Sequence, residues 1–509
     1  MVKQHLSHTK INRIYDGSDD FICIDDDGRH TMAEIRKNAS NLWDMMQRSG
    51  IQPGECIGIV CENNVRYLEA ILAIFMGQCI CVPLPASLSP DKIAKHLVDV
   101  NARALCISGQ YPYDCFSDSF VAYYVDNAQW TEYTTSNRLI YSENSCLFDS
   151  DVAFLLLTSG TTSHSKAVVL SHTGTILMVD AICDYMMPKL DDTFFVMKNV
   201  FHVSTLIGEI LTALRVGCVL SLRRTSRLLP RKCIENMKKD KVSILFANPT
   251  LLRGLMHHYV VGHNIESCRL IYTSGAPLSE KMHRSFQETF KPAKVYNVYG
   301  LTEAGPRVCA QRVYEEVCYG SVGKPINNVD VCILCKDETG KSFNPVLKPY
   351  EQGQLFVKSR SLMIGYFFKG KLEYCKTKEG YFETGDTAYF NEEGNYFIVG
   401  RSDDVIIKNS INIIPNNIDD CLYMLDDIKH CITFGAADSE CNQKIVTVYS
   451  TKSGQEISRK TLNKHMVKYL KSFEFPNEFV FSKSIPLSDN GKIKRYDIIK
   501  SYTERDHGF

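Results

Sequence analysis

Residues 152–166 read VAFLLLTSGTTSHSK: an apolar run from Val152 to Leu157 is followed by six small or hydroxylated residues and, three positions later, by Lys166. The apolar run is typical of a buried strand. Small side chains let backbone N–H groups approach an anion, and hydroxyls add donors, so the loop is a candidate phosphate-binding loop. It is not a Walker A loop, because no glycine precedes Lys166 and the spacing differs. Loops of this composition are also common as plain connections, so other motifs must decide its role.

Three apolar runs further along the chain end in polar turns. From about residue 50 onward, short apolar runs alternate with helical patterns, which indicates α/β layers. Because open α/β sheets bind ligands at the carboxyl ends of their strands, we expect a ligand site where these runs end. The runs are 242–247, 269–272 and 294–298, and the turns are Asn248-Pro249, Ser274-Gly275-Ala276-Pro277 and Tyr299-Gly300.

The chain is too long for a single compact core, so its 509 residues predict two or three domains. Residues 353–398 are rich in Gly, Phe and Tyr in alternating patterns, which predicts a small antiparallel β-subdomain. Charged residues at 401–404 predict a hinge. The predicted fold is α/β, with a large N-terminal domain of α/β layers (1–400) and a small, mobile α+β C-terminal domain (405–509).

The overall composition is that of a globular protein. Hydrophobic residues make up 44% and charged residues 23%, and Lys plus Arg equals Asp plus Glu at 58 each. This balance gives no reason to expect a nucleic-acid or membrane partner held by bulk charge. The amino terminus is polar and lacks the apolar stretch of a secretory signal. The most apolar run, 67–84, is interrupted by Glu69, Gly77 and Gln78, and predicts a buried helix followed by a strand, not a membrane span.

Cysteine usage predicts a reducing, cytoplasmic environment. The 20 cysteines are scattered and lack the density of a disulfide scaffold. Cys332 and Cys335 form a lone CxxC with no second pair and no nearby histidine, so no metal site is predicted there.

Five motifs occur in order between residues 157 and 495. They are the 158–162 loop Thr-Ser-Gly-Thr-Thr, Tyr299-Gly-Leu-Thr-Glu303, Thr384-Gly-Asp386, Gly400-Arg-Ser-Asp-Asp404 and Asp489-Asn-Gly-Lys-Ile-Lys-Arg495. In these motifs and their separations the chain closely resembles the superfamily of acyl-CoA synthetases, amino-acid adenylation domains and firefly-type luciferases. Any one motif is weak evidence, but five in family order are strong. The resemblance implies an enzyme that uses ATP and Mg²⁺ to form an acyl adenylate.

The resemblance also assigns roles to individual residues. Glu303 would bind Mg²⁺ and, with Thr302, lie near the α-phosphate. Asp386 would accept hydrogen bonds from the ribose hydroxyls, and Arg401 would add a further contact. Lys492 would bridge the substrate carboxylate and the α-phosphate. Implied catalytic residues are Lys492, Glu303, Thr302 and His202; implied nucleotide-binding residues are Thr158, Ser159, Gly160, Thr161, Thr162, Lys166, Gly275, Ala276, Pro277, Tyr299, Gly300, Asp386 and Arg401.

A second half-reaction is implied as well. In the family, a thiol from CoA or from the phosphopantetheine arm of a carrier protein attacks the adenylate after the small domain rotates, and Asp403 occupies the hinge position. Several positions depart from the family pattern and could weaken a half-reaction. Ser410 replaces a glycine near the pantetheine tunnel, where a missing side chain allows close approach. The other departures are Asn417 in place of a glutamate, and Ser163, Ser165 and Ala167 in the phosphate loop.

His202 indicates which class of carboxylic acid is the substrate. Relatives that activate α-amino acids usually have an aspartate here to pair with the substrate ammonium, and a neutral imidazole cannot replace it. We therefore expect an aryl or medium-chain aliphatic acid. Arg307 could pair with a second anionic group on the substrate or point to solvent. The implied pocket residues are His202, Val203, Leu206, Tyr272, Ser274, Val298 and Arg307, a mainly apolar set typical of a small-molecule site.

Three functions remain open from the sequence. The first is an acid–thiol ligase that transfers the acyl group to CoA. The second is a stand-alone adenylation enzyme that loads an acyl or peptidyl carrier protein in secondary metabolism. The third is a degenerate homologue that binds nucleotide or acyl adenylate without turnover. Light-emitting oxygenase chemistry rests on fold alone, which is poor evidence for a reaction.

Overall fold

The computed structural model describes most of the chain. The described residues are 14, 18–108, 111, 116, 120–126, 129–133, 151–157, 166–224, 229–259, 265–276, 278–336, 343–346, 348–368, 370–377, 379–409, 411–438, 442–488 and 493–506.

Within these residues the chain forms five β-sheets with helices packed around them. The strands are β1 (Ile22–Ile24), β2 (Arg29–Thr31), β3 (Cys56–Cys61), β4 (Ile80–Pro83), β5 (Ala102–Ser108), β6 (Val121–Asp126), β7 (Gln129–Tyr133), β8 (Val152–Leu157), β9 (Ala167–Ser171), β10 (Thr193–Val196), β11 (Val219–Leu222), β12 (Ile244–Ala247), β13 (Leu270–Thr273), β14 (Lys294–Tyr299), β15 (Cys309–Ala310), β16 (Lys324–Pro325), β17 (Val329–Lys336), β18 (Phe343–Pro345), β19 (Gly353–Ser359), β20 (Gly365–Phe368), β21 (Lys371–Glu373), β22 (Phe382–Phe390), β23 (Tyr396–Arg401), β24 (Ile406–Lys408), β25 (Ile411–Ile413), β26 (Ile428–Asp438), β27 (Asn442–Thr451) and β28 (Glu478–Phe481).

The α-helices are α1 (Met32–Arg48), α2 (Val65–Met76), α3 (Pro90–Asp99), α4 (His172–Met186), α5 (Val203–Thr205), α6 (Thr212–Val216), α7 (Pro230–Lys239), α8 (Pro249–Tyr259), α9 (Glu280–Thr289), α10 (Pro415–Leu422), α11 (Arg459–Met466) and α12 (Arg495–Asp506). A π-helix, Leu206–Leu211, joins α5 to α6, and short 3₁₀ turns cover Thr302–Ala304, Ser402–Asp404 and Ser472–Glu474.

The first large sheet has the order β16-β15-β14-β13-β12-β10-β11-β1-β2. Strands β11, β10, β12, β13 and β14 run parallel, which matches the buried apolar runs seen in the sequence. The turns after β12, β13 and β14 therefore share one edge of the sheet. This confirms the prediction that the three apolar runs are strands of an α/β sheet, and it brings Ser274 and Tyr299 to the same edge of that sheet.

The second large sheet has the order β21-β20-β9-β8-β4-β3-β5-β6-β7. The predicted strand Val152–Leu157 is β8, and the apolar run 67–84 forms most of α2 followed by β4, as expected. Ten residues of α2 are buried, so the apolar side chains of this helix belong to the protein core. No helix in the described ranges is long and apolar enough to cross a lipid bilayer.

A five-stranded antiparallel sheet, β18-β17-β19-β22-β23, covers the region of the predicted β-subdomain. It also takes in β17 and β18, which precede residue 353, while β20 joins the second large sheet beside β9. The reason is that strand pairing is set by tertiary packing and not by the order of strands along the chain.

The C-terminal part of the chain contains the hairpin β24–β25 and a three-stranded sheet, β26-β27-β28. Its core is separate from the main one and includes Ile406, Ile418, Leu422 and Ile445. This smaller unit after the large α/β part agrees with the predicted fold class. The exact boundaries of the domains and the hinge stay predictions.

Candidate active site

Strands β14 and β22 bring Tyr299 and Asp386 together. The Tyr299 hydroxyl donates a hydrogen bond to Oδ2 of Asp386, although the two residues are 87 positions apart. Arg401 lies opposite Asp386 in the β22–β23 pair, and its Nη1 is 3.6 Å from Oδ1. The three predicted nucleotide-binding residues therefore form one cluster around a carboxylate.

The main chain around Thr384 orients this cluster. The Thr384 hydroxyl donates to the carbonyl of Leu355 at 2.8 Å and accepts from the amide of Asp386 at 3.1 Å. The guanidinium of Arg401 donates to the carbonyl of Thr384 at 2.8 Å. Burial raises the pKa of Asp386 above its ordinary value, while the contacts with Tyr299 and Arg401 oppose the rise. The carboxylate is pre-oriented by neighbours, as acceptors of ligand hydroxyls commonly are.

Glu303 lies in the 3₁₀ turn after β14 and is held by residues from the other large sheet. The Tyr366 hydroxyl donates to its Oε1 at 2.7 Å, and the Met363 amide donates to its backbone carbonyl at 2.7 Å. Burial raises the pKa of Tyr366, and the neighbouring carboxylate of Glu303 raises it further, so the tyrosine stays a donor. Lys166 is 5.7 Å from the Tyr366 ring and pairs with Glu373 at 2.9 Å.

The surroundings of Glu303 fit a magnesium ion. Glu303 forms no ion pair with a Lys, Arg or His in the part of the chain that the structure describes. No group of three metal-ligating side chains occurs among those residues either. Mg²⁺ is usually bound through one or two carboxylates together with substrate phosphates and water. A half-buried glutamate such as Glu303 suits that mode.

Two further segments with predicted nucleotide-binding residues, around Gly275 and Gly300, follow strands β13 and β14 at this edge of the first large sheet. Gly275 and Ala276 follow β13 and are exposed, and Gly275 has φ +88°, a conformation that favours glycine. Gly300 packs directly against the following loop: a Cβ on it would lie 1.9 Å from the carbonyl oxygen of Pro306 and 2.8 Å from Cα of Arg307. The main chain of Arg307 therefore sits beside the predicted nucleotide motif.

His202 begins the helical segment that forms the other wall of the site. Its Nδ1 lies 2.8 Å from the Ser204 hydroxyl and accepts from the Ser204 amide, which caps α5. The π-helix Leu206–Leu211 follows, and all six of its residues are buried. π-Helices are rare and frequently occur at functional sites.

The predicted pocket residues are mostly buried. Tyr272 belongs to a row of stacked rings, with Phe246 and Tyr296 each 5.3 Å away across neighbouring strands. Arg307 is 1% exposed, so the expectation that it could point to solvent is wrong. Its backbone follows the turn at Glu303, and this turn directs the guanidinium inward. Val203, Leu206 and Val298 are also buried, and Ser274 is partly exposed.

Two buried charges at this site were missed from the sequence. Lys198, 7% exposed, follows β10, and Nζ lies 2.7 Å from Oε1 of Glu209 in the π-helix. The signal was present: Glu209 stands alone among apolar residues in the run from Leu206 to Leu211. A charged residue at a buried helical position is rare unless it is paired.

Several predicted positions lie outside the described residues. These are Thr158, Ser159, Gly160, Thr161, Thr162, Ser163, Ser165, Pro277, Ser410 and Lys492. Among the others, Ala167 is buried at the start of β9, Asp403 is exposed in the 3₁₀ turn after β23, and Asn417 is exposed in α10. The roles predicted for all of these residues stay predictions.

The family model described as AMP-binding enzyme matches residues 13–367 of this chain. The chain belongs to the AMP-binding enzyme family. This match covers the phosphate loop, the Tyr299–Glu303 motif and His202. It ends before Asp386 and Arg401, so those two residues rest on the motif order and on the geometry described above.

Several curated relatives of this AMP-binding enzyme are CoA ligases. The chain is 25% identical to an oxalate–CoA ligase of Arabidopsis thaliana over 92% of both chains. It is 24% identical to a 4-coumarate–CoA ligase of Pinus taeda over 93% of this chain and 90% of that one. It is 27% identical to a long-chain-fatty-acid–CoA ligase of Bacillus subtilis, over 70% of this chain but 63% of that protein.

Solved structures share the fold. ATP-bound MatB from Rhodopseudomonas palustris superposes with a TM-score of 0.83 at 18% identity, over 97% of this chain and 99% of that one. The o-succinylbenzoate CoA synthetase of Bacillus subtilis, in complex with its acyl-adenylate intermediate, gives a TM-score of 0.77 at 20% identity over 94% and 95%. At these identities the likeness establishes the fold alone.

Proposed function

We propose that this AMP-binding enzyme is an ATP-dependent acid–CoA ligase: it joins a carboxylic acid to AMP and then transfers the acyl group to the thiol of CoA. The observation that carries the proposal is the cluster of Tyr299, Asp386 and Arg401 at the sheet edge that also presents Glu303. The CoA ligases among its relatives support CoA as the acceptor.

In the first step the substrate carboxylate attacks the α-phosphorus of ATP. A carboxylate–phosphorus bond forms, the bond to the pyrophosphate oxygen breaks, and pyrophosphate leaves. Both reactants are anions, so positioning and charge neutralisation supply most of the catalysis. In the proposal Asp386 holds the ribose, the 158–162 loop holds the leaving phosphates, and Lys492 neutralises charge at the α-phosphate.

Glu303 is the residue proposed to hold Mg²⁺, which would neutralise charge on the phosphate oxygens when bound. The Tyr366 hydroxyl on Oε1 holds the carboxylate in one orientation and leaves Oε2 for a hard cation. Lys166, next to the Tyr366 ring, places a positive charge close to the same region.

In the second step the CoA thiolate attacks the acyl carbonyl of the adenylate, and AMP leaves. We propose Asp403 as the hinge that lets the C-terminal part rearrange between the two steps. It lies directly after β23 in a 3₁₀ turn that contains no buried residue.

The acid is proposed to be an aryl or aliphatic acid. The pocket walls are apolar or aromatic at Val203, Leu206, Tyr272 and Val298, and they suit a hydrophobic body. No carboxylate takes the position of His202, where an amino-acid substrate would need one.

Two alternatives keep the same site. A carrier protein could replace CoA as the acceptor, and a degenerate homologue could bind ATP without turnover. The retained Glu303 and Asp386, both hydrogen-bonded in the site, favour an active enzyme over the degenerate homologue.

The decisive experiment is ATP–pyrophosphate exchange against aryl, aliphatic and amino acids, followed by thioester formation with free CoA. We expect exchange with aryl or aliphatic acids, lowered about 10²- to 10³-fold by Lys492→Ala. Lys494→Ala is the matched control, because Lys494 is exposed in the same segment. Exchange without a CoA thioester would favour carrier loading, and ATP binding without exchange for any acid would support the degenerate homologue.

A further inference from the structure

The walls of the proposed acid pocket contain three buried charges. Lys198, Glu209 and Arg307 are 7%, 0% and 1% exposed. Lys198 pairs with Glu209 at 2.7 Å and also donates to the Ser204 hydroxyl at 3.4 Å. Two cations therefore share one carboxylate in the interior.

Arg307 is the cation without a carboxylate of its own. Its Nε and Nη2 have no hydrogen-bond partner in the described parts of the chain, and Nη1 donates only to the neighbouring Pro306 carbonyl at 3.4 Å. The guanidinium carbon lies 5.7 Å from the centre of the Phe246 ring, and the Tyr185 hydroxyl, a neutral group, lies close enough to interact with the guanidinium. Burying an arginine with two unpaired N–H groups is costly, so such an arginine requires an explanation.

A second buried arginine shows what ordinary pairing looks like in this protein. Arg223 is 4% exposed, contacts the carboxylates of Asp240 and Asp26, and donates to the carbonyl of Asp25 at 2.8 Å. Arg223 thus has two carboxylates of the protein beside its guanidinium, and among the described residues only its Nε lacks a hydrogen-bond partner. Arg307 lacks such partners, although it is buried to the same degree.

Arg307 lies between the predicted nucleotide motif and the π-helix that follows His202. Its main chain packs against Gly300 of the nucleotide motif, while Nη2 lies 2.8 Å from the place where a Cβ on Gly208 would stand. Gly208 belongs to the π-helix that follows His202. Arg307 therefore extends from the turn that packs against Gly300 to the π-helix that follows His202.

We propose, building on the ligase function above, that the substrate carries a second carboxylate and that Arg307 binds this group at the end of the acid remote from the reacting carboxyl. A carboxylate would supply the acceptors that Nε and Nη2 lack and would balance the two cations against Glu209. A guanidinium–carboxylate pair can form two parallel hydrogen bonds, which fixes orientation as well as charge.

The stacked rings beside Arg307 suit the body of such a substrate. Phe246 lies near both cations, with Nζ of Lys198 5.8 Å from its ring centre. It stacks with Tyr272, so an apolar or aromatic linker between the two carboxylates would have a flat surface to pack on.

The test compares matched acids in ATP–pyrophosphate exchange: benzoate with its ortho, meta and para dicarboxylic counterparts, butyrate with succinate, and hexanoate with adipate. We expect at least one diacid to exceed its monoacid partner roughly tenfold to hundredfold in kcat/KM, the range expected for a charged hydrogen-bonded pair. Arg307→Met should abolish this preference by lowering diacid exchange while monoacid exchange is kept or increased.

Stability separates a substrate-binding arginine from a structural one. Arg307→Met should melt at the same or a higher temperature than the parent, because it removes an unpaired buried charge. Arg223→Met, the matched control, should lower the melting temperature because it leaves carboxylates without their partner. Gly208→Ala keeps the charge but displaces the guanidinium, and it should weaken diacid exchange selectively.

Each other outcome counts against the idea. Monoacids preferred throughout, or an equal loss of mono- and diacid exchange in Arg307→Met, would overturn the diacid proposal and leave the ligase function standing. A large drop in melting temperature for Arg307→Met would assign Arg307 to the structure. Exchange with no acid of either kind would remove the ligase function and this inference together.

Discussion

At the residue scale, the site depends on a few side chains that other residues hold in place. Asp386 has a tyrosine on one oxygen and an arginine near the other, and its backbone amide is tied to Thr384. Glu303 is held by the Tyr366 hydroxyl. The tyrosines that contact the two carboxylates come from strands distant in sequence. We expect a change in either carboxylate to affect ligand binding more than folding.

Replacement of Asp386 tests this directly. Asp386→Asn keeps the shape but removes the negative charge that would accept hydrogen bonds from the ribose. We expect a loss of ATP–pyrophosphate exchange of about 10²-fold, seen mainly in the KM for ATP, since charged hydrogen bonds contribute roughly 1.5–3 kcal/mol each.

The matched control for this substitution is Asp330→Asn. Asp330 lies in β17 of the same antiparallel sheet and is exposed. It should leave exchange and melting temperature unchanged. Equal kinetics for the two variants would remove Asp386 from the nucleotide site.

At the element scale, the turn after β14 is the tightest feature of the site. Gly300 contacts the Pro306 carbonyl so closely that no side chain fits, and the Val308 amide donates to the Tyr299 carbonyl at 2.8 Å. The chain thus folds back on itself between Tyr299 and Val308. This turn carries both Glu303, a predicted nucleotide-site residue, and Arg307, a predicted acid-pocket residue.

Gly300→Ala should therefore be destabilising. Its Cβ would lie 1.9 Å from a backbone oxygen, so the loop must shift, at a cost of about 1–3 kcal/mol. Urea unfolding would measure the loss of stability in Gly300→Ala, and ATP–pyrophosphate exchange would measure the effect of the substitution on activity.

Gly254→Ala provides the comparison, because Gly254 lies inside α8 and its nearest neighbour would be 4.0 Å from the new Cβ. It should be neutral or stabilising by up to about 1 kcal/mol, the difference between Gly and Ala in a helix. Similar stability of both variants would contradict the close packing at Gly300.

At the scale of the whole molecule, helix α10 connects the C-terminal part to the large α/β part. The Arg253 guanidinium of α8 lies 3.5 Å from the centre of the Tyr423 ring, just after α10. Lys281 of α9 lies 3.6 Å from the ring of Tyr469. Burial raises the pKa of Asp420 to about 7, a hydrogen bond with Ser279 lowers it, and the adjacent Asp419 raises it again.

This raised pKa predicts a dependence on pH. The folded arrangement holds a proton on Asp420 that the unfolded chain releases near an ordinary carboxyl pKa of about 4. The contribution of Asp420 to the free energy of unfolding should therefore fall as pH rises from about 4 to about 7, and it should not change further above that range. Thermal unfolding of wild type and Asp420→Asn across pH 4–8 measures this, with the variant gaining relative stability as pH rises.

The exposed carboxylate Asp403 supplies the control, because Asp403→Asn should follow the wild-type curve. Parallel curves for wild type and Asp420→Asn at every pH would show that Asp420 keeps an ordinary pKa in the folded protein.

The sequence by itself determined the family and the fold class, and it supplied the predicted site residues. Five local motifs and the apolar runs before them are readable because strand patterns and turn chemistry depend on near neighbours in the chain. They predicted β8, the strand β4 after α2, and the strands β13 and β14, which lead to Ser274 and Tyr299.

Only the tertiary structure decided which of these residues meet. The pairing of Tyr299 with Asp386 depends on strand order across separate sheets, and the burial of Arg307 next to Gly208 depends on how one turn packs on a helix. The lone charge of Glu209 in an apolar run was visible in the sequence, but its partner Lys198, 2.7 Å away, was decided by folding. Such contacts are set by packing between distant segments, and local patterns do not encode them.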